Sequence, residues 1–185
     1  MSLAIAFGVG IWSTLLALEA TAGFGAIRLG SWEAFPDAQT AGADPYAKSH
    51  RASAGALLYA SAEGLRFTAG VDNEGQRLRA ACSYRLSGHT PTARLWTLYT
   101  LGPGANAKHA SALPTALNSR TILRQPDGSF AIEISAQAQP GNWLAVEQTG
   151  NFRLALTLFD TPAAGSSGLI DLSMPTIQKT GCGHA

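Results

Sequence analysis

The sequence lacks an excess of charge of either sign. Lysine and arginine together number 13 and aspartate and glutamate number 12, so no strong field draws the chain onto nucleic acid. Only 14% of the 185 residues are charged, whereas glycine numbers 20 and proline 9. Because these two residues favour turns over long helices, the composition predicts one mainly β domain built from many short strands.

Cysteine is also scarce. Cys82 and Cys182 are too few and too far apart for a zinc knuckle, which needs short C-x-x-C spacings. They can form one disulfide or remain two free thiols. If they are joined, they close a loop of about 100 residues, and that outcome requires an oxidising compartment.

Catalytic signatures are absent from the sequence. It contains no G-x-S-x-G elbow, no P-loop and no G-x-G-x-x-G motif. The histidines are scattered, with no H-x-H or H-x-x-x-H pair, at His50, His89, His109 and His184. We therefore predict no catalytic residue, no metal site and no cofactor.

One cluster of residues suggests a ligand site. Arg94, Trp96 and Tyr99 stand close together in "ARLWTLYTL", and aromatic rings beside an arginine can hold a planar or sugar-like ligand. With a carboxylate such as Asp160, this cleft would suit a carbohydrate-binding or hydrolytic domain. The alternative interpretation is that Trp96 belongs to the core and Arg94 caps a sheet edge.

The N-terminal segment has almost no charge. From Ser2 to Ile27 there is no lysine or arginine and one acid, Glu19. Since about 20 helical residues span a bilayer, we predict a transmembrane anchor over residues 1–27. A cleaved signal peptide is an alternative, because Ala20-Thr21-Ala22 is an A-x-A site, although the usual basic start is missing. A buried core helix is a third interpretation.

After the anchor we predict a linker over residues 28–43 and a β domain over residues 44–185. Asp44 and Pro45 suit the start of a helix that runs to about residue 60. Turn residues then predict two hairpins, the first joining residues 65–71 to 78–88 and the second joining residues 118–124 to 129–135.

The clearest strand lies in "GNWLAVEQTGNFRLALTLFDTP". Alternation puts one apolar row on the core face and the remaining side chains on the opposite face. The predicted core row is Phe152, Leu154, Leu156 and Leu158. A last edge strand is expected around Pro175, which cannot donate to a ladder. Six to eight such antiparallel strands imply two packed sheets or a barrel.

Several segments together resemble a bacterial family, domain of unknown function 1214. They include "ADPYAKSHRASAG", "AEGLRFTAGVDNEGQRL", "CSYRLSGHTPTARLWTLYTL", "DGSFAIEIS" and the strand segment just quoted. The resemblance runs from about Gly30 to the end of the chain. It implies an antiparallel, jelly-roll-like β-sandwich, and it brings no agreed catalytic residues. One departure is "TLGPGANAKHA" after Tyr99, where relatives often have an Asp-x-x-Gly turn and an Asn.

The resemblance also implies a location and a partner. Short relatives carry one N-terminal hydrophobic helix and look like inner-membrane proteins that face the periplasm, where Cys82 and Cys182 would be able to pair. The first basic residues follow the apolar segment, so charge alone weakly favours the cytoplasm; we give the family more weight. Longer relatives are secreted and place a companion domain of unknown function 1254 before this one. We therefore expect a non-catalytic periplasmic module that binds a ligand or a protein with that companion domain.

Overall fold

The structure, a computed structural model, describes most of the chain. The described residues are 2–20, 26–36, 64–102, 113–146, 149–164 and 173–183, with the single positions Ala43, Pro45, Lys48, Ser49 and Ala52. Together they form one α-helix, α1, and ten β-strands. The predicted helix over residues 45–60 lies mostly outside the described residues, and the described positions within it are helical.

The strands form two sheets, and the fold is mainly β as predicted. The first has six strands in the order β1-β2-β3-β9-β5-β6, and the second has four in the order β10-β4-β7-β8. The first sheet consists of β1 (Ile27–Leu29), β2 (Trp32–Ala34), β3 (Gly64–Ala69), β9 (Arg153–Phe159), β5 (Leu95–Leu101) and β6 (Ala116–Asn118). The second consists of β10 (Thr176–Cys182), β4 (Cys82–Gly88), β7 (Phe130–Ser135) and β8 (Trp143–Ala145).

The segment expected to be an anchor over residues 1–27 begins with a helix. This helix, α1, covers Ser2–Ala20. Across the residues that the structure describes, we find no helix with both the length and the apolar character needed to cross a membrane.

The predicted linker over residues 28–43 is wrong in its first part. Residues 27–34 form a β1–β2 hairpin, in which Arg28 lies opposite Glu33, and β2 extends the first sheet by pairing with β3. Trp32 is fully buried and its Nε1 donates to the Pro175 carbonyl at 2.7 Å. Strands of three residues are too short to show a period of two, which is why the sequence did not reveal them.

The turns of both predicted hairpins form, with the Asp72 amide donating to the Gln76 carbonyl and the Gln125 amide to the Ser129 carbonyl, but the strands beyond these turns cross between the sheets. The first would pair β3 with β4, but these strands lie in different sheets and only Val71 and Arg77 form a bridge. The second would place β7 beside residues 118–124, where β6 ends, and these too belong to different sheets. Alternation shows which face of a strand is buried but does not show which strand it pairs with.

The core lies between the two sheets. The predicted apolar row of β9 and of the residue before it is buried, and so is the apolar row of β7, which consists of Phe130, Ile132 and Ile134. The opposite face of β9 differs from expectation, because Ala155 and Thr157 are fully buried as well. β9 lies between β3 and β5 in the middle of the larger sheet, so both of its hydrogen-bonding edges are paired.

The smaller sheet has β10 at one edge and one parallel strand pair at the other. The last strand, β10, is an edge strand as predicted, and Pro175 directly precedes it. The sheets are not wholly antiparallel, because β7 and β8 pair in parallel through Glu133 and Trp143. The loop between them brings the chain back to the same end before the next strand begins. The jelly-roll arrangement stays a prediction.

Candidate functional site

Arg94 lies at the surface beside Asp160. Its Nε is 3.2 Å from an Asp160 carboxylate oxygen, and the two side chains are 76% and 68% exposed. The Arg94 amide donates to the Phe159 carbonyl at 3.1 Å, which fixes the start of β5 against the end of β9. An ion pair this exposed contributes at most about 1 kcal/mol. Arg94 therefore ties two strand ends together at the rim of the sheet.

Trp96 points into the core. It is 2% exposed, and its ring centroid lies 5.1 Å from that of Phe130 in the opposite sheet. Its Nε1 is buried and has no hydrogen-bond partner. The side chain therefore packs the two sheets together, as the alternative interpretation of this residue predicted.

Tyr99 lies on the other face of the same strand. The burial pattern of β5 alternates, with Trp96 and Leu98 inward and Tyr99 outward. The Arg66 guanidinium carbon lies 6.0 Å from the centre of the Tyr99 ring, which is cation–π range. The structure thus does not bring Arg94, Trp96 and Tyr99 into one cleft. Residues 96 and 99 are three apart, and a strand sends such positions to opposite faces.

Cys82 and Cys182 face each other across β4 and β10. They are directly opposite in the strand register, and their sulfurs are bonded at 1.98 Å. The bond links residues 100 positions apart in the chain. In the chain-entropy model, closing such a loop stabilises the folded state by up to about 4.7 kcal/mol.

One histidine lies within the described residues. His89 Nε2 is 3.3 Å from the Asp127 carbonyl, whereas His50, His109 and His184 lie outside the described part of the chain. Among the residues that the structure describes, no three or more histidine, cysteine or acidic side chains are grouped to hold a metal ion.

Two ionisable groups are perturbed by their surroundings. The Ser129 hydroxyl and amide donate to the Asp127 carboxylate at 2.7 and 2.9 Å, and these hydrogen bonds lower the pKa of that carboxyl. Burial raises the pKa of the Tyr84 hydroxyl, which accepts a hydrogen bond from the Arg79 amide at 2.8 Å. Both arrangements hold turns in place.

Asn142 is a positioning residue that the sequence interpretation missed. Its Oδ1 accepts from the Leu123 amide at 2.7 Å, and its Nδ2 donates to the carbonyls of Leu123 and Ala131 at 2.8 Å each. One side chain thereby joins the loop after β6 to β7. A single polar residue beside a glycine gives no sequence signal of its own, because it resembles any turn.

Among the residues that the structure describes, most of the exposed large apolar side chains belong to α1. Its exposed side chains are Ile5, Phe7, Val9, Ile11, Trp12, Leu15 and Leu16. A shallow groove on the helix is lined by Ala6, Phe7, Gly10, Ile11, Thr14 and Leu15. The hydroxyls of Ser13 and Thr14 both donate to the Gly10 carbonyl, so they are satisfied within the helix. This surface is suited to apolar surroundings.

Comparison with known proteins shows the family and the fold. No curated protein matches the chain. The crystal structure of the VPA0106 protein from Vibrio parahaemolyticus is similar with a TM-score of 0.56 and 19% identity, covering 72% of this chain and 35% of that one. An uncharacterised protein from Burkholderia cenocepacia has a TM-score of 0.44 and 22% identity, covering 63% and 29%. This chain thus spans about a third of the length of these solved relatives.

Membership of a family is shown by a match to a family model and not by these solved structures. At 19% identity, the likeness to the Vibrio protein shows the fold alone. The model for "Protein of unknown function (DUF1214)" matches residues 63–163, from the strand β3 to the end of the larger sheet. This match covers more than half of the chain, which therefore belongs to the DUF1214 family.

Proposed function

We propose that this protein is a non-catalytic binding module of the bacterial cell envelope. Its helix α1 holds it at the inner membrane, and its two-sheet domain, in the jelly-roll-like arrangement, lies in the periplasm and binds a protein or another ligand. The observation that carries the proposal is the uncovered apolar surface of α1. The dispersal of Arg94, Trp96 and Tyr99 favours this proposal over a sugar-binding or hydrolytic cleft.

The exposure of α1 is energetically costly in water. Seven large apolar side chains of the helix are between 47% and 66% exposed. Full burial of such a side chain is worth about 1.5–3 kcal/mol, so moving these half-exposed groups into lipid gains about 1 kcal/mol each. The hydroxyls of Ser13 and Thr14 do not oppose the transfer, because they already bond to the Gly10 carbonyl. At about 7 kcal/mol in total, this transfer favours association of α1 with a membrane.

The disulfide supports a periplasmic domain. A bond between Cys82 and Cys182 persists in an oxidising compartment and is rare in the cytosol. The basic residues that follow the helix, beginning with Arg28, favour a cytoplasmic β domain only weakly, because they are few.

The proposed partner is a protein that carries the companion domain of unknown function 1254. This chain covers 35% of the Vibrio relative, so in that relative the shared fold is part of a longer polypeptide. Domains that are fused in one protein can occur in another organism as separate proteins that bind each other. Affinity purification from detergent extracts should therefore recover one envelope protein with that domain, in an amount comparable with the bait. Recovery of the bait alone after crosslinking in cells would contradict the proposal of such a partner.

The membrane proposal is tested by fractionating cells that express the full chain with a C-terminal periplasmic reporter. Ile11→Asp puts a charge on α1, where Ile11 is 61% exposed, and Leu123→Asp is the matched control because Leu123 is 70% exposed on the β domain. We expect the unchanged protein and Leu123→Asp to sediment with membranes and show reporter activity, and Ile11→Asp to become soluble and inactive.

Two outcomes would overturn the proposal. If a C-terminal reporter is active only when it is one that works in the cytoplasm, the β domain lies on the cytoplasmic side of the membrane. An intact mass that lacks the residues up to and including the A-x-A site, recovered from the soluble periplasm, would show that the leader is a signal peptide and that the protein is secreted.

A further inference from the structure

The edge strand β10 is held in two different ways along its length. At its start, Ile177 is fully buried, its amide donates to the Asn73 side chain at 2.7 Å, and its carbonyl accepts from the Asn73 amide at 2.9 Å. The preceding Pro175 carbonyl accepts from Trp32 of the opposite sheet at 2.7 Å. The start of β10 is therefore anchored by groups that do not belong to its neighbour β4.

The end of β10 has much less support. Residues 178–182 are all exposed, and the register with β4 shifts between Lys179 and Gly181. Beyond that shift, the strand is held by its ladder to β4, by the Gly183 amide donating to the Ala81 carbonyl at 3.0 Å, and by the disulfide. Within the described residues, no strand pairs with the other side of β10.

The two bonded cysteines differ in exposure. Cys182 is exposed at the end of β10, whereas Cys82 is 6% exposed and belongs to the core cluster. A thiolate can attack a disulfide only at a sulfur that it can reach, so the Cys182 side of the bond is open to attack.

We propose that the disulfide between Cys82 and Cys182 is a reversible redox modification site, reduced by an external dithiol that attacks Sγ of Cys182. The attack forms a mixed disulfide between the dithiol and Cys182, and Cys82 leaves as a thiolate and takes up a proton. The second thiol of the reductant then attacks the mixed disulfide, releases Cys182 as a thiol and leaves the reductant as a disulfide. Two electrons and two protons pass to the protein.

Reduction has a local structural effect. Without the crosslink, residues 178–183 retain only a few exposed hydrogen bonds, and such ends open readily. The Ile177 and Trp32 contacts remain, so the strand detaches only beyond its anchor. The opening leaves Cys82 in place, and because the freed end is tethered nearby, reoxidation restores the strand. This inference does not depend on α1 or on the proposed partner, but it does require the bond to form in the native protein.

The test uses the full chain purified in mild detergent, with dithiothreitol as the probe. Thiols are trapped with iodoacetamide and located by mass spectrometry, and amide hydrogen exchange is followed on the same samples. We expect the exposed Cys182 to be alkylated without denaturant, and exchange in residues 178–183 to rise about tenfold or more. Ile177 and the core strand β3 should remain protected, because the protein stays folded after reduction.

A double variant, Cys82→Ser with Cys182→Ser, provides a second measurement. It should show the fast exchange in residues 178–183 without any dithiol, whereas the oxidised native protein should not. The proposal is overturned if the bond is reduced only in denaturant, if reduction leaves exchange in residues 178–183 unchanged, or if protein purified in air contains free thiols. Global loss of protection on reduction would also overturn it, because the bond would then hold the whole fold.

Discussion

Replacing each of two buried tryptophans by phenylalanine tests how the sheets are joined. Trp32 and Trp96 are 1% and 2% exposed, so the two substitutions remove the same atoms from equally dry sites. They differ in one respect. The Trp32 Nε1 donates to the Pro175 carbonyl at 2.7 Å, whereas the Trp96 Nε1 has no partner.

The expected difference in the free energy of unfolding follows from the hydrogen bond that each substitution removes or leaves unchanged. Trp32→Phe leaves a buried carbonyl unsatisfied, which costs about 1–3 kcal/mol in addition to the lost packing. Trp96→Phe removes a buried donor that had no partner and so recovers about 1 kcal/mol of the packing loss. We therefore expect Trp32→Phe to be less stable than Trp96→Phe by about 2–4 kcal/mol.

Urea unfolding followed by far-ultraviolet circular dichroism measures this difference, with the disulfide intact in both variants. Circular dichroism is preferable to fluorescence, because each variant lacks one of the indoles. Equal stabilities, or a larger loss in Trp96→Phe, would refute the reasoning. If the residues around Trp32 formed a linker, the first substitution would cost less than about 0.5 kcal/mol.

Three further predictions concern polar contacts and one close approach. Asn142→Asp should be less stable than Asn142→Ala, because a carboxylate oxygen in place of Nδ2 would face two carbonyl oxygens and repel both; a urea midpoint of Asn142→Asp at or above that of Asn142→Ala would contradict this. Gly64→Ala should cost at least about 1–3 kcal/mol in thermal unfolding, since its Cβ would lie 2.2 Å from the Leu158 carbonyl oxygen. Ser129→Ala should raise the pKa of Asp127 towards its usual value in a carbon-detected NMR titration, because one of its hydrogen bonds is lost. The lowered pKa means that the stabilisation is present above the usual pKa of the carboxyl and is lost as the pH falls through the folded value; an unchanged titration would exclude this cause.

Much of the core could be predicted from alternation alone. The row from Phe152 to Leu158 is buried as expected, and the family resemblance predicted the two packed sheets. Trp96 shows the limit of the same signal. Trp96 and Tyr99 are three positions apart on β5 and therefore face opposite ways, which their grouping into one site overlooked.

Other features had no local signal. The short β1–β2 hairpin has too few residues for a period to emerge, and Trp32 is recognisable as core only through its bond to Pro175. Asn142 likewise acquires its role from Leu123 and Ala131, which are distant from it in the chain. Contacts of this kind depend on which distant segments the fold brings together, and a short stretch of neighbouring residues does not contain that information.

The sequence by itself determined the mainly β class, the burial of the strand rows and the uncharged apolar character of the N-terminal segment, because composition and periodicity are local properties. Only the tertiary structure decided that β3 and β4 lie in opposite sheets, that β7 and β8 run in parallel, and that Cys182 lies opposite Cys82. Strand pairing is a choice among distant segments with similar faces. That choice is made by the packing of the whole core and by the directions in which the turns send the chain.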